Sequence, residues 1–481
     1  MDFLKKADAL WPHLFKTKHL PLEKTEPVGR YMRSGDNFTL DFGTHLVGQF
    51  HMVVEPDNTP DSPLQVDFLF AEMPFELDDY VYTGGLSSTW IQRETVYYDV
   101  IPEEIILPRR YAFRYVKVTC PGNTAYKVCY KQSYCIAVTS ADEKNIQPLP
   151  ADTDDLLKRI DEVALRTLRN CMQSVFEDGP KRDRRLWLGD LYLQAKANFY
   201  TYNNYDLVKR CLYLFAGLPH ADGCLSSAVY PEPVLRNQSW IIHDYALFFI
   251  GVLYDCYEAY GDRELVKELW PVALRQAEIA IAGLDDTGLI KPENYFIDWC
   301  DGLNKVAAGQ GVLICMLRQA LALAEILGES HNADYLRAEI DKATVAAMSL
   351  YDEAIGLFAC GPEKQISRAS QMWMILADVF DKEKNCRIID NLVKSENAIA
   401  TVTPYAMHYY IEALIKCGKK DDAMALIRDY WGGMVSGGAD CFWEVYIPGE
   451  PEASPYNSHR INSYCHAWSC TPTYFIRKYF I

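Results

Sequence analysis

The sequence lacks the short motifs that mark several large enzyme classes. It contains no Gly-x-x-x-x-Gly-Lys phosphate-binding loop, no His-Glu-x-x-His zinc motif and no Gly-x-Ser-x-Gly nucleophile turn. No dinucleotide-binding glycine pattern follows a predicted strand. These absences argue against a P-loop nucleotidase, a zinc protease of that motif class, an α/β-hydrolase and a Rossmann dehydrogenase.

Positive charge is also scarce. Lys and Arg number 48 against 65 Asp and Glu, so the formal net charge is -17. A negative surface repels phosphate backbones and anionic lipids, so we expect neither nucleic acid nor a membrane as partner. The first residues lead into no apolar signal segment, and we see no uninterrupted apolar run long enough to span a bilayer. We therefore expect a cytoplasmic protein.

The 15 cysteines include no Cys-x-x-Cys pair. Cys465 and Cys470 flank His466, but no second close pair completes a metal-binding set. We expect buried free thiols in a reducing compartment, and we predict neither a metal nor a cofactor. The sequence leaves homo-oligomerisation open.

The first third of the chain predicts a β domain. Runs of β-branched and aromatic residues are separated by Pro, Gly, Asn and Asp clusters, which favour turns. Many short strands with turns between them are typical of an antiparallel β-sandwich. We expect this domain to span 1–145, with a linker at 147–150. The runs are 38–43, 49–54, 64–70, 95–98, 115–118 and 126–130.

The remainder predicts paired helices. An apolar stripe at helical spacing begins near Leu156, and Thr153 or Asp154 can cap that helix. Later helical segments end at glycines, which suit the left-handed position after a helix. Successive pairs favour a two-layered helical toroid, and their irregular spacing disfavours the alternative, a helical solenoid. We expect this second domain to span 152–481.

Three carboxylates surround a tryptophan at the start of the helical region. Asp178, Asp183 and Asp190 lie close in sequence to Arg182 and Trp187. Grouped acids beside an aromatic ring suit acid/base chemistry on a sugar, because like charges raise the pKa of one partner. The alternative is a salt-bridged helix N-terminus, to which we give even odds from these residues alone.

This segment resembles the signature of the α-L-rhamnosidases of glycoside hydrolase family 78, roughly Asp-Cys-Pro-x-Arg-Glu-Arg-Leu-Gly-Trp-x-Gly-Asp. The resemblance implies a β-sandwich followed by an (α/α)6 barrel and an inverting mechanism. Asp183 stands where the family has a glutamate as general acid, so it is the predicted acid. Asp178, Arg182, Trp187 and Asp190 would then bind the sugar.

A later segment, 437–444, is similar to the family stretch that carries the general base. The matching positions are Gly438, Ala439, Trp443 and Glu444. The resemblance makes Glu444 the predicted base and Trp443 a stacking platform. Taken alone, the pair is more often a buried ring beside a solvated acid.

Further candidates for sugar contact lie in three segments. His466 stands where the family places a histidine near the sugar, although a lone histidine is as often a core residue. Trp240, Asp298 and Trp299 combine rings with a carboxylate, and Trp240 can equally be core.

Together these features predict an inverting glycoside hydrolase. The expected substrate is a terminal α-L-rhamnosyl, related deoxy-sugar or uronide residue of a short glycoside. A catalytically inactive carbohydrate-binding protein on the same scaffold is the main alternative, because aspartate replaces the family's acid glutamate. A lyase or phosphorylase on a similar toroid is a weaker one.

Overall fold

The computed structural model describes residues 2–22, 28–57, 61–78, 84–121 and 127–481. In these ranges the N-terminal strands are β1 (Lys16–Pro21), β2 (Tyr31–Met32), β3 (Asn37–Pro56), β4 (Asp61–Ala71), β5 (Arg93–Val100), β6 (Glu104–Thr119) and β7 (Val128–Thr139). They form one antiparallel sheet in the order β1-β7-β3-β6-β4-β5, with β2 also paired to β7. The predicted antiparallel β domain is confirmed, with its strands in one continuous sheet.

The sheet is curved around its own core. The ladder between β3 and β6 shifts register after Asp41 and again after Gln49, and such bulges bend a strand. The rings of Phe50 and Phe70 lie 5.5 Å apart, centroid to centroid, although β6 separates their strands. The curvature thus encloses a separate apolar core, which includes Phe50, Phe68 and Phe113.

Thirteen helices are present in the described ranges. They are α1 (Phe3–Leu10), α2 (Asp155–Cys171), α3 (Leu188–Phe199), α4 (Tyr205–Gly217), α5 (His243–Tyr260), α6 (Arg263–Ala282), α7 (Val306–Leu327), α8 (Ser330–Met348), α9 (Arg368–Leu376), α10 (Lys382–Lys394), α11 (Pro404–Lys416), α12 (Lys420–Ser436) and α13 (Pro472–Phe475). Small ladders join β8 (Leu186–Trp187), β9 (Ala228–Tyr230) and β10 (Arg236–Asn237), and β11 (Tyr351–Asp352) with β12 (Leu357–Phe358).

From α2 onward the helices form a two-layered ring. α3, α5, α7, α9 and α11 contact one another in succession, and α13 contacts α3. These inner helices alternate along the chain with the outer helices α2, α4, α6, α8, α10 and α12. The predicted (α/α)6 toroid is therefore confirmed, and the solenoid alternative is excluded.

The helix ends follow the predicted signals. The Asp154 side chain accepts a hydrogen bond from the Leu157 backbone N–H and caps α2. Gly261, Gly328 and Gly418 follow α5, α7 and α11 with φ values of 68°, 78° and 78°. Only glycine adopts this left-handed geometry without cost, which explains why the helices end there.

Helix α7 corrects the expectation that no apolar run is long enough to span a bilayer. Among the described residues it is the helix long and apolar enough to cross a membrane, judged by length and composition, and 67% of its apolar window is buried inside the protein. It is an inner helix in contact with α5, α6, α8 and α9. A helix surrounded by other helices must be apolar on most of its faces, which accounts for its composition.

Candidate active site

The segment between α2 and α3 forms a tight loop at one end of the barrel. Asp183 and Arg184 have φ values of 64° and 54°, which non-glycine residues rarely adopt. The loop is closed by hydrogen bonds from the Asp178 N–H to the Arg185 carbonyl (3.0 Å) and from the Arg184 N–H to the Gly179 carbonyl (3.2 Å). Strained backbone of this kind persists where surrounding contacts hold it, and it is frequent at active sites.

Two positions of the loop motif require glycine, because neighbouring side chains approach their backbone too closely for a Cβ atom. A Cβ on Gly179 would lie 2.5 Å from the Ser463 hydroxyl oxygen. A Cβ on Gly189 would lie 2.3 Å from the Tyr245 ring. Both distances are below any real carbon contact, so side chains here would push apart the walls of the site.

The β domain supports this loop through buried ion pairs. Arg110 on β6 donates to the Glu177 carboxylate at 2.8 Å, just before the loop. Lys181, inside the loop, pairs with Glu76 and lies 3.6 Å from Glu72. All three carboxylates are almost fully buried, so separating them from their partners would be costly. The β domain therefore holds the start and the middle of the loop.

A cavity of about 170 Å³ opens above the loop. Nine of the predicted site residues line it, although they come from segments far apart in sequence. They are Asp178, Arg182, Asp183, Trp187, Asp190, Trp240, Trp299, Glu444 and His466. Its size suits one small ring rather than an extended chain.

Glu444 is held as an ionised carboxylate. Arg182 Nη2 donates to both carboxylate oxygens, at 2.7 and 2.5 Å, and the Tyr456 hydroxyl donates to Oε1 at 2.5 Å. Burial raises the pKa of Glu444, but the charges of Arg182 and His466 and these hydrogen bonds outweigh it and lower the pKa to about 2.

The pKa is raised, rather than lowered, at two neighbouring acids, Asp178 and Asp190. Burial, together with the negative charges of Asp183 and Asp190, raises the pKa of Asp178 well above its ordinary value. Burial also raises the pKa of Asp190, although His466 Nε2 lies 3.3 Å from its carboxylate. The site thus contains carboxyl groups of contrasting proton affinity, which acid/base catalysis requires.

Asp183 lies between two arginines. Its carboxylate oxygens are 3.5 Å from Arg182 Nη1 and 3.5 Å from Arg185 Nη1. Its side chain is 15% exposed, more than that of Glu444 at 3%. The left-handed backbone turns this shorter side chain to the cavity, where it can meet a ligand.

Two predicted residues do not line the cavity. The Asp298 carboxylate accepts hydrogen bonds from the Val402 and Thr403 N–H groups, at 2.8 and 3.1 Å, so it fastens two loops. Trp443 is 1% exposed and packs edge-on against Tyr464. Each is adjacent in sequence to a residue that lines the cavity, but its own side chain points elsewhere.

Five lining residues were not predicted from the sequence. Phe296 and Trp468 lie close in sequence to the predicted residues Trp299 and His466, and their rings lie stacked with centroids 5.9 Å apart. Tyr456 lies in a loop rich in Pro, Ser and Asn, where no pattern marks it. The five are Ile242, Tyr245, Phe296, Tyr456 and Trp468.

Comparisons with known proteins agree with this architecture. The family model described as glycosyl hydrolase family 78 alpha-rhamnosidase N-terminal domain matches residues 11–137. The model described as bacterial alpha-L-rhamnosidase 6 hairpin glycosidase domain matches residues 152–480. No curated protein gives a significant match.

Solved structures give the same result. The chain is 41% identical to a rhamnosidase from Klebsiella oxytoca solved with rhamnose bound, with a TM-score of 0.94 and coverage of 100% of this chain and 98% of that one. A family 78 rhamnosidase of Bacillus sp. GL1 is 25% identical, with a TM-score of 0.77 and coverage of 92% and 46%. A Streptomyces avermitilis α-L-rhamnosidase shares the fold at 18% identity, with a TM-score of 0.73 and coverage of 96% and 43%. The chain therefore belongs to glycoside hydrolase family 78 and is a glycoside hydrolase of the α-L-rhamnosidase type.

Proposed function

We propose that the protein is an inverting hydrolase that releases a terminal α-L-rhamnosyl residue, or a related deoxy-sugar, from short glycosides. The observation that carries the proposal is the meeting of Asp183 and Glu444 at one small cavity, although 261 positions separate them in sequence. The 41% identical rhamnosidase from Klebsiella oxytoca was solved with rhamnose bound, which supports the choice of sugar.

Asp183 is the proposed general acid. It is the more exposed of the two carboxyl groups and lines the cavity, so a leaving oxygen bound there lies within its reach. The two arginines beside it lie at 3.5 Å, whereas Glu444 is held by closer hydrogen bonds. Asp178 and Asp190 then bind hydroxyl groups of the sugar.

Glu444 is the proposed general base. Its pKa of about 2 keeps it ionised at any pH at which the enzyme would work. Arg182 lies between the two carboxyl groups, with Nη2 on Glu444 and Nη1 3.5 Å from Asp183. An inverting mechanism requires carboxyl groups that are roughly 6.5–9.5 Å apart, so that the attacking water has room.

The cavity walls favour a neutral deoxy-sugar. Tyr245, Phe296 and Trp468 present rings against which a methyl group and the C–H face of a sugar can pack. A uronide would bring a further carboxylate beside Asp178, Asp190 and Glu444, and like charges in a buried site repel. We therefore rank the 6-deoxy sugar above the uronide.

A panel of nitrophenyl glycosides, led by the α-L-rhamnoside, tests the substrate. Cleavage of the rhamnoside supports the proposal, whereas cleavage of another glycoside replaces the sugar. If the folded protein cleaves none of the glycosides, that result contradicts the proposed function.

Two further readouts test the mechanism. Proton NMR should show β-L-rhamnose as the first product, because inversion changes the anomeric configuration, and α-L-rhamnose would contradict inversion. Glu444→Gln should lose turnover on nitrophenyl and alkyl rhamnosides alike. Asp183→Asn should lose far more turnover on the alkyl rhamnoside than on the nitrophenyl rhamnoside, because the alkyl leaving group needs a proton.

A further inference from the structure

A cluster of sulphur and nitrogen donors lies buried where the β domain meets the barrel. His45 comes from β3, and Cys441 and Cys465 come from the loops that carry Glu444 and His466. One donor atom from each lies within 4.8 Å of the other two. None of the three is more than 2% exposed, and none lines the sugar cavity. The hydrolytic mechanism makes no use of them.

The surroundings orient the histidine as a ligand. Its Nε2 lies 2.9 Å from the buried Glu72 carboxylate, which fixes the proton on that nitrogen and leaves Nδ1 as an acceptor, where an ion would replace the Asn170 N–H. The Asn170 amide nitrogen lies 2.8 Å from Nδ1 and 3.7 Å from Cys441 Sγ. A carboxylate behind a histidine and an N–H beside a sulphur are the supports that metal-binding residues receive in proteins.

A fourth donor adjoins these three. Cys171, at the end of α2, is fully buried, and its thiol contacts Cys465, which also contacts Cys441. Three thiols and one imidazole form a Cys3His set, which is common in structural zinc sites. Thiolate and imidazole select soft or borderline ions over Ca²⁺ and Mg²⁺, which prefer oxygen ligands.

We propose that His45, Cys441, Cys465 and Cys171 bind one zinc-type divalent ion that ties the β domain to the loops of the active site. Metal–donor bonds of about 2.0–2.3 Å in a tetrahedron would require the four donors to close in around the ion, with the largest movement at Cys171, since the donor atoms of the other three already lie within 4.8 Å of one another. The donors are distributed over most of the chain, so the search for neighbouring cysteine pairs could not find the set. The ion would be structural, because no donor touches the sugar cavity.

Metal analysis of the full-length protein tests this proposal. Protein purified under reducing conditions and then dialysed against zinc should retain one ion per chain. Replacing zinc with Cd²⁺ should produce the ultraviolet sulphur-to-metal charge-transfer band. Cys441→Ser and Cys465→Ser should each lose the ion and the band. Cys470→Ser is the matched control, since its thiol is equally buried in the same segment but lies outside the cluster, and it should keep both.

X-ray absorption of zinc-loaded wild-type protein keeps the test decisive if the serine variants do not fold. A first shell of sulphurs and one nitrogen supports the site. A shell of oxygen and nitrogen alone, absence of stoichiometric zinc from folded reduced protein, or unchanged binding in folded Cys441→Ser and Cys465→Ser would overturn it.

Discussion

The two ends of helix α3 lie in buried clusters of charged groups, and the ratio of negative to positive groups differs between the two clusters. The first turn carries Asp190 into the sugar cavity, where four carboxyl groups face mainly the charge of Arg182. The last turn carries Lys196, which lies 2.8 Å from Asp255 and 3.9 Å from Glu412. The difference separates the proposed chemistry from stability: acids outnumber cations where the proposal requires proton transfer, and acids are paired with a buried cation where the fold must be held.

The far end shows what compensation does to pKa values. Burial would raise the pKa of Glu412, but Lys196 and His408 lower it far below its ordinary value. Burial would lower the pKa of Lys196, but Asp255 and the neighbouring groups raise it well above its ordinary value. Both shifts favour the charged form of the group, whereas the shift of the Asp178 pKa at the sugar cavity favours the neutral acid.

Cavity volume alone would favour the opening at the Lys196 end of α3 as the candidate site. The opening beside Lys196 has a volume of about 610 Å³, against about 170 Å³ for the sugar cavity. The larger opening is lined by paired charges, whereas the smaller one combines contrasting carboxyl groups with aromatic walls. The charge pattern, rather than the volume, marks the smaller cavity as the candidate active site.

The largest expected effect is the loss of activity in Asp183→Asn. Turnover of an alkyl α-L-rhamnoside should fall by about 10²–10⁴-fold, the usual contribution of a general acid. The melting temperature should change little, because Asp183 makes only two long ion pairs of 3.5 Å. Steady-state kinetics with a thermal melt checks both. A large drop in melting temperature would assign Asp183 to the fold instead.

At the other end of α3, Lys196→Met should lower the stability of the fold and leave turnover unchanged. It leaves Asp255 and Glu412 without their buried cation, which typically costs about 3–5 kcal/mol. Turnover measured well below the melting temperature should be unchanged. Lys267→Met, at an exposed position on α6, serves as control and should melt like wild type. An unchanged melting temperature in Lys196→Met would break the comparison.

Tyr456→Phe should give an intermediate loss. It removes the hydroxyl that donates to Glu444 Oε1 at 2.5 Å, and a hydrogen bond to a charged group is worth about 1.5–3 kcal/mol. We expect kcat/KM to fall about tenfold or more. Tyr446→Phe is the matched control, because that hydroxyl lies against Gly433 rather than Glu444. Equal losses in both variants would remove Tyr456 from the site.

Local signals predicted much of the fold. The Asp154 cap and the glycines after α5, α7 and α11 act within one turn of chain, so they can be identified without knowledge of the tertiary structure. Helix α1 was missed, because it is stabilised by packing on α4 and by Arg210, which donates to the Ala7 carbonyl. Such long-range contacts leave no periodic trace in a short segment.

The site was predicted as far as its motifs extend. The loop of 178–190 and Glu444, the predicted base, were identified by family resemblance, and both reach the cavity. Side-chain direction could not be predicted: Asp298 and Trp299 are neighbours, yet only Trp299 lines the cavity. Tyr456 reaches the site through the tertiary course of its loop, which the sequence does not reveal.

Asp178→Asn tests the central claim most directly, with the melting temperature measured from pH 5 to 9. Because the pKa of Asp178 is raised in the folded state, its ionisation destabilises the fold above that pKa, and the penalty disappears as the pH falls. Asparagine can still accept the Arg185 N–H, which now lies 3.0 Å from the Asp178 carboxylate. The account predicts a variant about 1 kcal/mol more stable than wild type at high pH, an advantage that shrinks toward pH 5, together with weaker turnover. A variant less stable than wild type at every pH, with full turnover, would contradict it.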